Sequence, residues 1–237
     1  MDLKGQTAIV TGGSRGIGLA IAEALLAEGA KVAICARSKE SVAAALDTLS
    51  PRGEVIGRVC DVGRYEELEA FFAHVDEKFG DVAALVNNAG VGVFAPVDQL
   101  SLEDWRSVID TNLSGPFYCT RLAIPRMRNR GGGFILNIGS LAGKNPFASA
   151  SAYNASKFGL NGFSEATMMD LRHDNIRVSQ IMPGSVQTEF SSTMEGADWK
   201  LEPAEIAATA VHLIKMPDRN LASRVEMRPS RPPRPAK

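Results

Sequence analysis

The residues best suited to chemistry in this chain are a tyrosine and a lysine four positions apart. Tyr153 and Lys157 lie in a predicted helix, where residues at this spacing share one face about one turn apart. A phenol ordinarily titrates near pH ~10, and a neighbouring ammonium group favours the phenolate and lowers the pKa of the phenol. The pair therefore predicts a proton donor for a carbonyl oxygen at neutral pH, with Ser140 upstream as a second hydroxyl.

A glycine-rich turn near the start of the chain predicts the other half of that chemistry. The run TGGSRGIG at 11–18 follows a predicted strand and opens a predicted helix. Gly12, Gly16 and Gly18 permit a tight turn and a close approach of the backbone to a pyrophosphate, and the helix start offers free N–H groups. The turn therefore indicates a bound nucleotide that carries hydride.

The end of the second predicted strand indicates which nucleotide binds. NAD sites commonly place an acidic residue about twenty positions beyond the glycines, whereas residues 35–38 here read Cys-Ala-Arg-Ser. Arg37 is suited to pair with a 2′-phosphate, with Arg15 of the glycine-rich turn on its other side. The two arginines and the missing acid predict NADP(H). Asp61 and Val62, after the third predicted strand, suit the adenine amino group and ring.

The composition is that of an ordinary globular protein, with 45% hydrophobic and 22% charged residues. A net charge of −1 predicts that neither nucleic acid nor a membrane surface is a partner. The first residues do not resemble a signal peptide, and no stretch reaches the ~18 uncharged apolar residues of a membrane span, which predicts a cytoplasmic protein. Three scattered cysteines without a CxxC motif predict reduced structural thiols, and three scattered histidines predict no metal site.

Short apolar runs alternate along the chain with longer amphipathic stretches. The runs predict strands at 7–11, 31–36, 54–60, 82–87, 133–139 and 176–182, with an edge strand around Val225 and Met227. The amphipathic stretches predict helices at 15–28, 39–49, 65–79, 102–130 (broken near 112–116), 151–173 and 202–215. This alternation predicts an α/β fold, a doubly wound Rossmann-type parallel sheet of about seven strands with helices on both faces.

The domain organisation follows from the absence of any linker before about residue 218. We expect one dinucleotide-binding and catalytic domain over 1–228, with a substrate lid near 188–201. Phe190, Met194 and Trp199 would form an apolar cover there, or pack down as part of a loop. The remaining segment, 229–237, is rich in proline and basic residues, and it is either a solvated end or a docking segment.

Five groups of residues resemble the short-chain dehydrogenase/reductase family. TGGSRGIG looks like its TGxxxGxG motif, residues 87–90 like its NNAG signature, and residues 183–188 like its PGxVxT segment. Asn112 and Ser140, followed by the Tyr153–Lys157 pair, fall at the spacing of its catalytic tetrad. The similarity covers about residues 3–190, and within the family the chain is most similar to 3-oxoacyl-(acyl-carrier-protein) reductases.

The resemblance implies a role for each matching residue. Tyr153 would donate the proton to the carbonyl, Ser140 would hold the substrate oxygen, and Asn112 would carry a water in a proton relay behind Lys157. Lys157 would lower the pKa of the phenol and bind the nicotinamide ribose. The cofactor contacts that the motifs imply are Gly12, Ser14, Arg15, Gly16, Ile17, Gly18, Arg37, Asp61, Val62, Asn88, Ala89, Gly90, Tyr153, Lys157, Pro183, Gly184, Val186 and Thr188.

Three functions remain open from the sequence. The first is an NADPH-dependent reductase of a small ketone or 3-oxoacyl compound, the second an NAD(P)-dependent dehydrogenase of a polyol, steroid or aromatic alcohol, and the third a non-catalytic NADPH sensor. An acyl carrier protein or CoA thioester is a further expected partner, because arginines cluster at 126–130. The same arginines also suit the negative end of a helix dipole.

A stripe of small residues predicts how the chain assembles. Ala155, Gly159, Gly162 and Ala166 recur at helical spacing on a face separate from Tyr153. The stripe packs either on the protein's own sheet or on a partner helix, and members of the family commonly build tetramers through this helix. The resemblance therefore implies a homotetramer with two-fold axes.

Overall fold

A computed structural model describes residues 1–190 and 198–233. This part of the chain forms one sheet of seven parallel strands, in the order β3-β2-β1-β4-β5-β6-β7. The strands are β1 (Thr7–Thr11), β2 (Lys31–Ala36), β3 (Val55–Val59), β4 (Val82–Asn87), β5 (Gly133–Ile138), β6 (Ile176–Pro183) and β7 (Arg224–Met227).

Helices cover both faces of the sheet because successive strand residues point to opposite sides. Val10 packs with α1, α2 and α7 on one face, whereas its neighbour Ile9 packs with α3, α5 and the end of α6 on the other. The helices are α1 (Gly16–Ala27), α2 (Lys39–Leu49), α3 (Tyr65–Phe79), α4 (Leu102–Ile109), α5 (Gly115–Asn129), α6 (Ser151–Leu171) and α7 (Pro203–Lys215).

The predicted fold class is confirmed, and most element bounds agree with the prediction to within two residues. The predicted interruption of the long helix near 112–116 is present, two residues earlier than expected. Residues Asp110–Ser114 form a π turn that joins α4 to α5, and Ser114 keeps helical angles of φ −64° and ψ −41°. Pro116 does not interrupt the helix because it lies in the first turn of α5, where no backbone N–H donor is needed.

The strand order places a crevice at the carboxyl end of β1. β1 pairs with β2 on one side and with β4 on the other, so the connections that follow β1 and β4 leave in opposite directions. Ligands of open α/β sheets bind at such a reversal point. The edge strand β7 completes the sheet, and its alternating exposure matches the prediction of one solvent-facing side.

Candidate active site

A cavity of about 1090 Å³ opens at the carboxyl ends of the strands. Its wall gathers nearly every residue singled out in the sequence: Gly12, Ser14, Arg15, Gly16, Ile17, Arg37, Asp61, Val62, Asn88, Ala89, Gly90, Ser140, Tyr153, Lys157, Pro183, Gly184, Val186 and Thr188. Gly18 and Asn112 lie behind this wall rather than on it. Residues separated by up to 176 positions therefore meet at one edge of the sheet, as parallel topology requires.

The glycine-rich turn fits a pyrophosphate. Gly12 and Gly16 have φ of +62° and +53°, which side-chain-bearing residues rarely adopt. Helix α1 begins at Gly16 with no side-chain cap from Arg15 and no acidic residue in its first turn. Its first N–H groups and positive dipole end are thus available to an anion.

Gly18 serves packing rather than cofactor contact. A Cβ atom at Gly18 would stand 2.2 Å from the Gly12 carbonyl oxygen and 2.4 Å from Nδ2 of Asn88. That Nδ2 donates to the carbonyl oxygens of Thr11 (2.9 Å) and Gly12 (3.1 Å). The Asn88 amide therefore ties the end of β1 to the loop after β4, while Asn88, expected as a cofactor contact, also lines the cavity.

The two arginines expected at the 2′-phosphate differ in their surroundings. Arg15 binds the carboxylate of Glu189 at 2.8 Å, and both side chains are largely exposed. Arg37 is exposed at the end of β2, and no ion-pair partner faces it among residues 1–190 and 198–233. Arg37 is therefore a cation available to an anionic ligand, and the carboxylate of Glu189 competes for Arg15.

Tyr153 and Lys157 both face the cavity from α6, but their protonation differs from the expectation. Burial raises the pKa of Tyr153 above its ordinary value, and a hydrogen bond from the Ser140 hydroxyl opposes this. Burial also lowers the pKa of Lys157 to about 8. The Lys157 Nζ donates to the Ile138 carbonyl oxygen at 3.0 Å and lies 5.8 Å from the Tyr153 ring centroid.

The predicted lowering of the Tyr153 pKa by Lys157 was therefore wrong for this geometry. Desolvation outweighs the influence of an ammonium group that points to a backbone carbonyl. A phenol with a raised pKa remains protonated at neutral pH. It can still donate its proton to an oxygen on which negative charge develops.

The π turn places the side chain of Asn112 against the loop after β4. Asn112 is fully buried, and its Oδ1 accepts from the Val91 backbone N–H at 2.8 Å. Its Nδ2 donates to the Val91 carbonyl oxygen at 2.9 Å and to Ser156 Oγ at 3.0 Å. The side chain thus clamps the loop to α6, and its predicted role in a proton relay remains a prediction.

The segment after β6 closes one side of the cavity. The Gly184 N–H donates to the Met227 carbonyl oxygen at 2.8 Å, and Val186 pairs with Leu201 in an isolated bridge. Phe190 and Trp199, predicted as part of a cover, line the cavity, while Met194 lies outside the described residues. Arg228 and Pro229, to which the sequence analysis gave no site role, also border the cavity.

The sequence analysis missed two aromatic residues of the cavity wall, Phe94 and Phe147. Phe94 follows β4 and Phe147 precedes α6, and an isolated bridge between Ala95 and Ala150 joins their loops. The feature of the sequence that could have indicated them is an aromatic residue in each of two loops that follow the carboxyl end of a predicted strand.

The arginine cluster at 126–130 is engaged inside the protein. Arg126 forms a two-pronged pair with Asp76, Arg128 pairs with Asp174, and Arg130 donates to Gln6 Oε1 at 2.6 Å. The cluster precedes β5 and so lies at the opposite edge of the sheet from the cavity. Carboxylates thus neutralise Arg126 and Arg128, whereas Arg130 donates to neutral oxygens and keeps its charge, which leaves one of the three positive charges to steer an acidic carrier protein.

The cysteines are free and buried, and burial raises the pKa of the Cys119 thiol. In the described part of the chain, the structure gathers no group of three or more potential metal ligands. Within those same residues, every helix is too short or too polar to cross a membrane.

Comparison with known proteins places this fold and site in a family. The model of the short chain dehydrogenase family matches residues 6–198, and the chain belongs to that family of oxidoreductases. The crystal structure of a metagenomic short-chain oxidoreductase in complex with NADP covers 98% of this chain and 100% of its own, at 38% identity and a TM-score of 0.87.

Two relatives in sequence carry more specific names. An NADP-dependent (R)-specific alcohol dehydrogenase from Lentilactobacillus kefiri is 36% identical over 234 residues, covering 89% of this chain and 90% of that protein. A Streptomyces coelicolor protein provisionally named a ketoacyl reductase is 40% identical over 192 residues, covering 80% of this chain and 74% of that protein.

Proposed function

We propose that this protein is an NADP(H)-dependent oxidoreductase that interconverts a ketone and a secondary alcohol. The observation that carries the proposal is the position of two hydroxyl side chains, Ser140 and Tyr153, on the wall of the same cavity as the glycine-rich turn. The catalytic unit in this proposal is one domain over 1–228 with a lid near 188–201.

The residues around the glycine-rich turn fit the dinucleotide. Gly12 and Gly16 would hold the pyrophosphate, and Asp61 and Val62 would hold the adenine. The exposed Arg37 supports a 2′-phosphate, and NADP appears in the names of the Lentilactobacillus relative and of the metagenomic complex. When bound, the nicotinamide supplies a hydride, which is two electrons and one hydrogen nucleus.

The side chains of the site manage the charge and the proton. In the reduction, the carbonyl carbon gains the hydride and its oxygen becomes negative, and hydrogen bonds from Ser140 and Tyr153 stabilise that oxygen. Tyr153 then transfers its phenolic proton to the oxygen, which gives the alcohol and leaves a phenolate. Lys157, protonated below about pH 8, offsets the phenolate charge until solvent returns the proton.

The finer substrate proposal is a 3-oxoacyl compound or small ketone, and the Streptomyces relative supports it. Dehydrogenation of a polyol, steroid or aromatic alcohol is the alternative. A purely sensing role has less support, because a sensor has no need of the Ser140–Tyr153 pair. Docking of an acyl carrier protein at 126–130 has little support, since those arginines bind Asp76, Asp174 and Gln6 of the same chain.

We also propose a homotetramer. Ala155, Gly162 and Ala166 are exposed on α6, and a Cβ atom at Gly162 would meet nothing within 4 Å. Phe158 and Met169 on the same helix are 46% and 56% exposed, so this face is apolar and available to a second copy.

Replacement of Tyr153 by Phe tests the proposed function. It removes the transferable proton with little change of shape, so kcat should fall by about 10²–10⁴-fold. NADPH affinity, measured by fluorescence titration, should stay within about fivefold of the wild type, because one hydrogen bond is worth roughly 1 kcal/mol. Tyr65→Phe, on α3 away from the cavity, is the matched control. A Tyr153→Phe protein with the wild-type rate would refute the proposal.

A further inference from the structure

The Tyr153 ring stands in a row of aromatic side chains. Its centroid lies 5.7 Å from that of Phe94 and 5.8 Å from that of Phe190, and Phe94 lies 5.9 Å from Phe147. The ring planes are tilted or edge-on to one another. We call Phe94, Phe147 and Phe190 the aromatic row.

The row is held in place by the backbone of three separate loops. The Ala95–Ala150 bridge joins the loops that carry Phe94 and Phe147. Gly92 provides the space for the other contact, because a Cβ atom there would stand 2.9 Å from the tip of Phe94 and 2.8 Å from the tip of Phe190. The row is therefore a built feature of the cavity rather than a set of loose surface residues.

In the part of the chain that the structure describes, residues 1–190 and 198–233, the three rings are about half exposed. Phe94, Phe147 and Phe190 are 49%, 52% and 49% exposed, and all three line the cavity. Large apolar side chains left open beside a polar reaction centre are typical of a site that an apolar ligand completes. Arg228, another lining residue, binds the Glu226 carboxylate at 2.9 Å, and Lys144 binds the same carboxylate at 2.8 Å.

From this geometry we infer that, of the two substrate classes proposed above, the enzyme takes small ketones rather than 3-oxoacyl compounds, and that these are aryl ketones and the matching secondary alcohols, with the aromatic ring joined to the carbonyl directly or through one or two carbons. The inference rests on the proposed function. When the carbonyl oxygen of a ketone is bound to the Tyr153 hydroxyl, the substituents of that ketone lie next to the rings that flank Tyr153. Aromatic pairs in edge-on or offset contact add binding beyond that of apolar area, by about 2- to 12-fold for each pair.

A pair of ketones of similar size isolates this effect. Acetophenone and cyclohexyl methyl ketone are similar in size, and conjugation makes the aryl carbonyl the less reactive of the two. A kcat/KM ratio that favours acetophenone therefore reports recognition of the ring, and the intrinsic reactivities cancel when the ratios of wild type and variant are compared. We expect the wild-type protein with NADPH to favour acetophenone about tenfold, and Phe94→Leu and Phe147→Leu each to reduce that ratio severalfold. Gly92→Ala should reduce it as well, since it displaces two rings without removing either.

Phe79→Leu is the matched control, because Phe79 ends α3 at the opposite edge of the sheet and contacts Lys31. This variant should leave the ratio unchanged. Acetoacetyl-N-acetylcysteamine, a 3-oxoacyl thioester without a ring, is the third substrate. A wild-type ratio near one, a ratio insensitive to the Phe94 and Phe147 variants, or a higher kcat/KM for the thioester than for acetophenone would overturn the inference.

A binding measurement separates this inference from the proposed function. In the Tyr153→Phe protein with NADPH, saturation-transfer NMR should show acetophenone displacing cyclohexyl methyl ketone, whether or not either is turned over. Equal binding of the two ketones would overturn the aryl inference and leave the proposed function standing. Wild-type turnover by Tyr153→Phe would instead refute the proposed function and leave the binding preference intact.

Discussion

The Arg15 guanidinium meets the Glu189 carboxylate at 2.8 Å, and this contact joins the glycine-rich turn to the segment after β6. The two side chains are 72% and 69% exposed, so the pair adds no more than ~1 kcal/mol to stability. Both also line the cavity. The carboxylate holds a cation that the 2′-phosphate would otherwise bind.

Replacing Glu189 by Gln should release Arg15 and remove a negative charge from the mouth of the cavity. We expect the Kd for NADPH to fall about two- to fivefold, because the exposed ion pair that competes with the 2′-phosphate for Arg15 is lost. The Kd for NADH should stay unchanged. Fluorescence titration with both nucleotides measures this. Glu77→Gln, on α3 away from the cavity, is the control. Equal changes for the two nucleotides would contradict the competition.

Replacing Arg37 by Asp should weaken NADPH by about 100-fold, because it removes a charge-assisted hydrogen bond and adds repulsion toward the 2′-phosphate. NADH lacks that phosphate and should change by no more than about threefold. Arg52→Asp makes the same charge change at an exposed arginine that pairs with Glu23 and does not line the cavity. Equal Kd values of the wild-type protein for NADPH and NADH would refute the assignment of NADP(H).

Lys157 should make the stability depend on pH. Its pKa is about 8 in the fold and about 10.5 in the unfolded chain, so below pH 8 both states are charged and the fold bears the burial penalty. Between about pH 8 and 10.5 the unfolded state binds more protons, and stability from this group therefore rises with pH. The penalty is on the order of 3 kcal/mol, at about 1.4 kcal/mol per pH unit.

Comparison with Lys157→Met isolates that effect from other titrating groups. At pH 7 the variant should unfold with a free energy higher by about 2 kcal/mol, since the lost hydrogen bond to Ile138 offsets part of the gain. The difference should shrink as the pH rises through 8 towards 10.5, in urea unfolding at several pH values. Lys39→Met on the exposed start of α2 provides the baseline. A difference independent of pH would show that burial does not penalise this ammonium.

The proposed tetramer predicts the effect of a large charge on α6. Ala155→Arg should reduce the mass in solution from about four chains of 25.3 kDa to one or two, because the stripe could no longer approach a partner backbone. Ala44→Arg, at an exposed position of α2, should leave the mass unchanged. Light scattering after size exclusion reports both, and a monomeric wild-type protein would exclude the tetramer.

The sequence predicted the elements well where patterns are local. β1 and β2 have the predicted bounds because unbroken apolar runs between turn residues are typical of strands buried on both faces. The meeting of the motifs at one edge also followed, since parallel strands all present their carboxyl ends there.

What could not be predicted depends on contacts between distant segments. The π turn at Asn112 is held by Val91 and Ser156, neither of which the local pattern reveals. Helical spacing placed Tyr153 beside Lys157, but it gave neither the burial that raises the pKa of the phenol nor the carbonyl that holds the ammonium. Phe94 and Phe147 became part of the site only through a bridge between two loops.

The inward-facing amide of Asn88 has a consequence for anyone who wishes to re-engineer this enzyme. Its hydrogen bonds join the end of β1 to the loop after β4. They support the cleft in the same way whichever nucleotide binds. In the proposed function, coenzyme choice depends instead on Arg15 and Arg37, which project from exposed turns, so we expect that they can be exchanged without loosening those hydrogen bonds. Swapping the redox partner and preserving the architecture are therefore separable design problems in this protein.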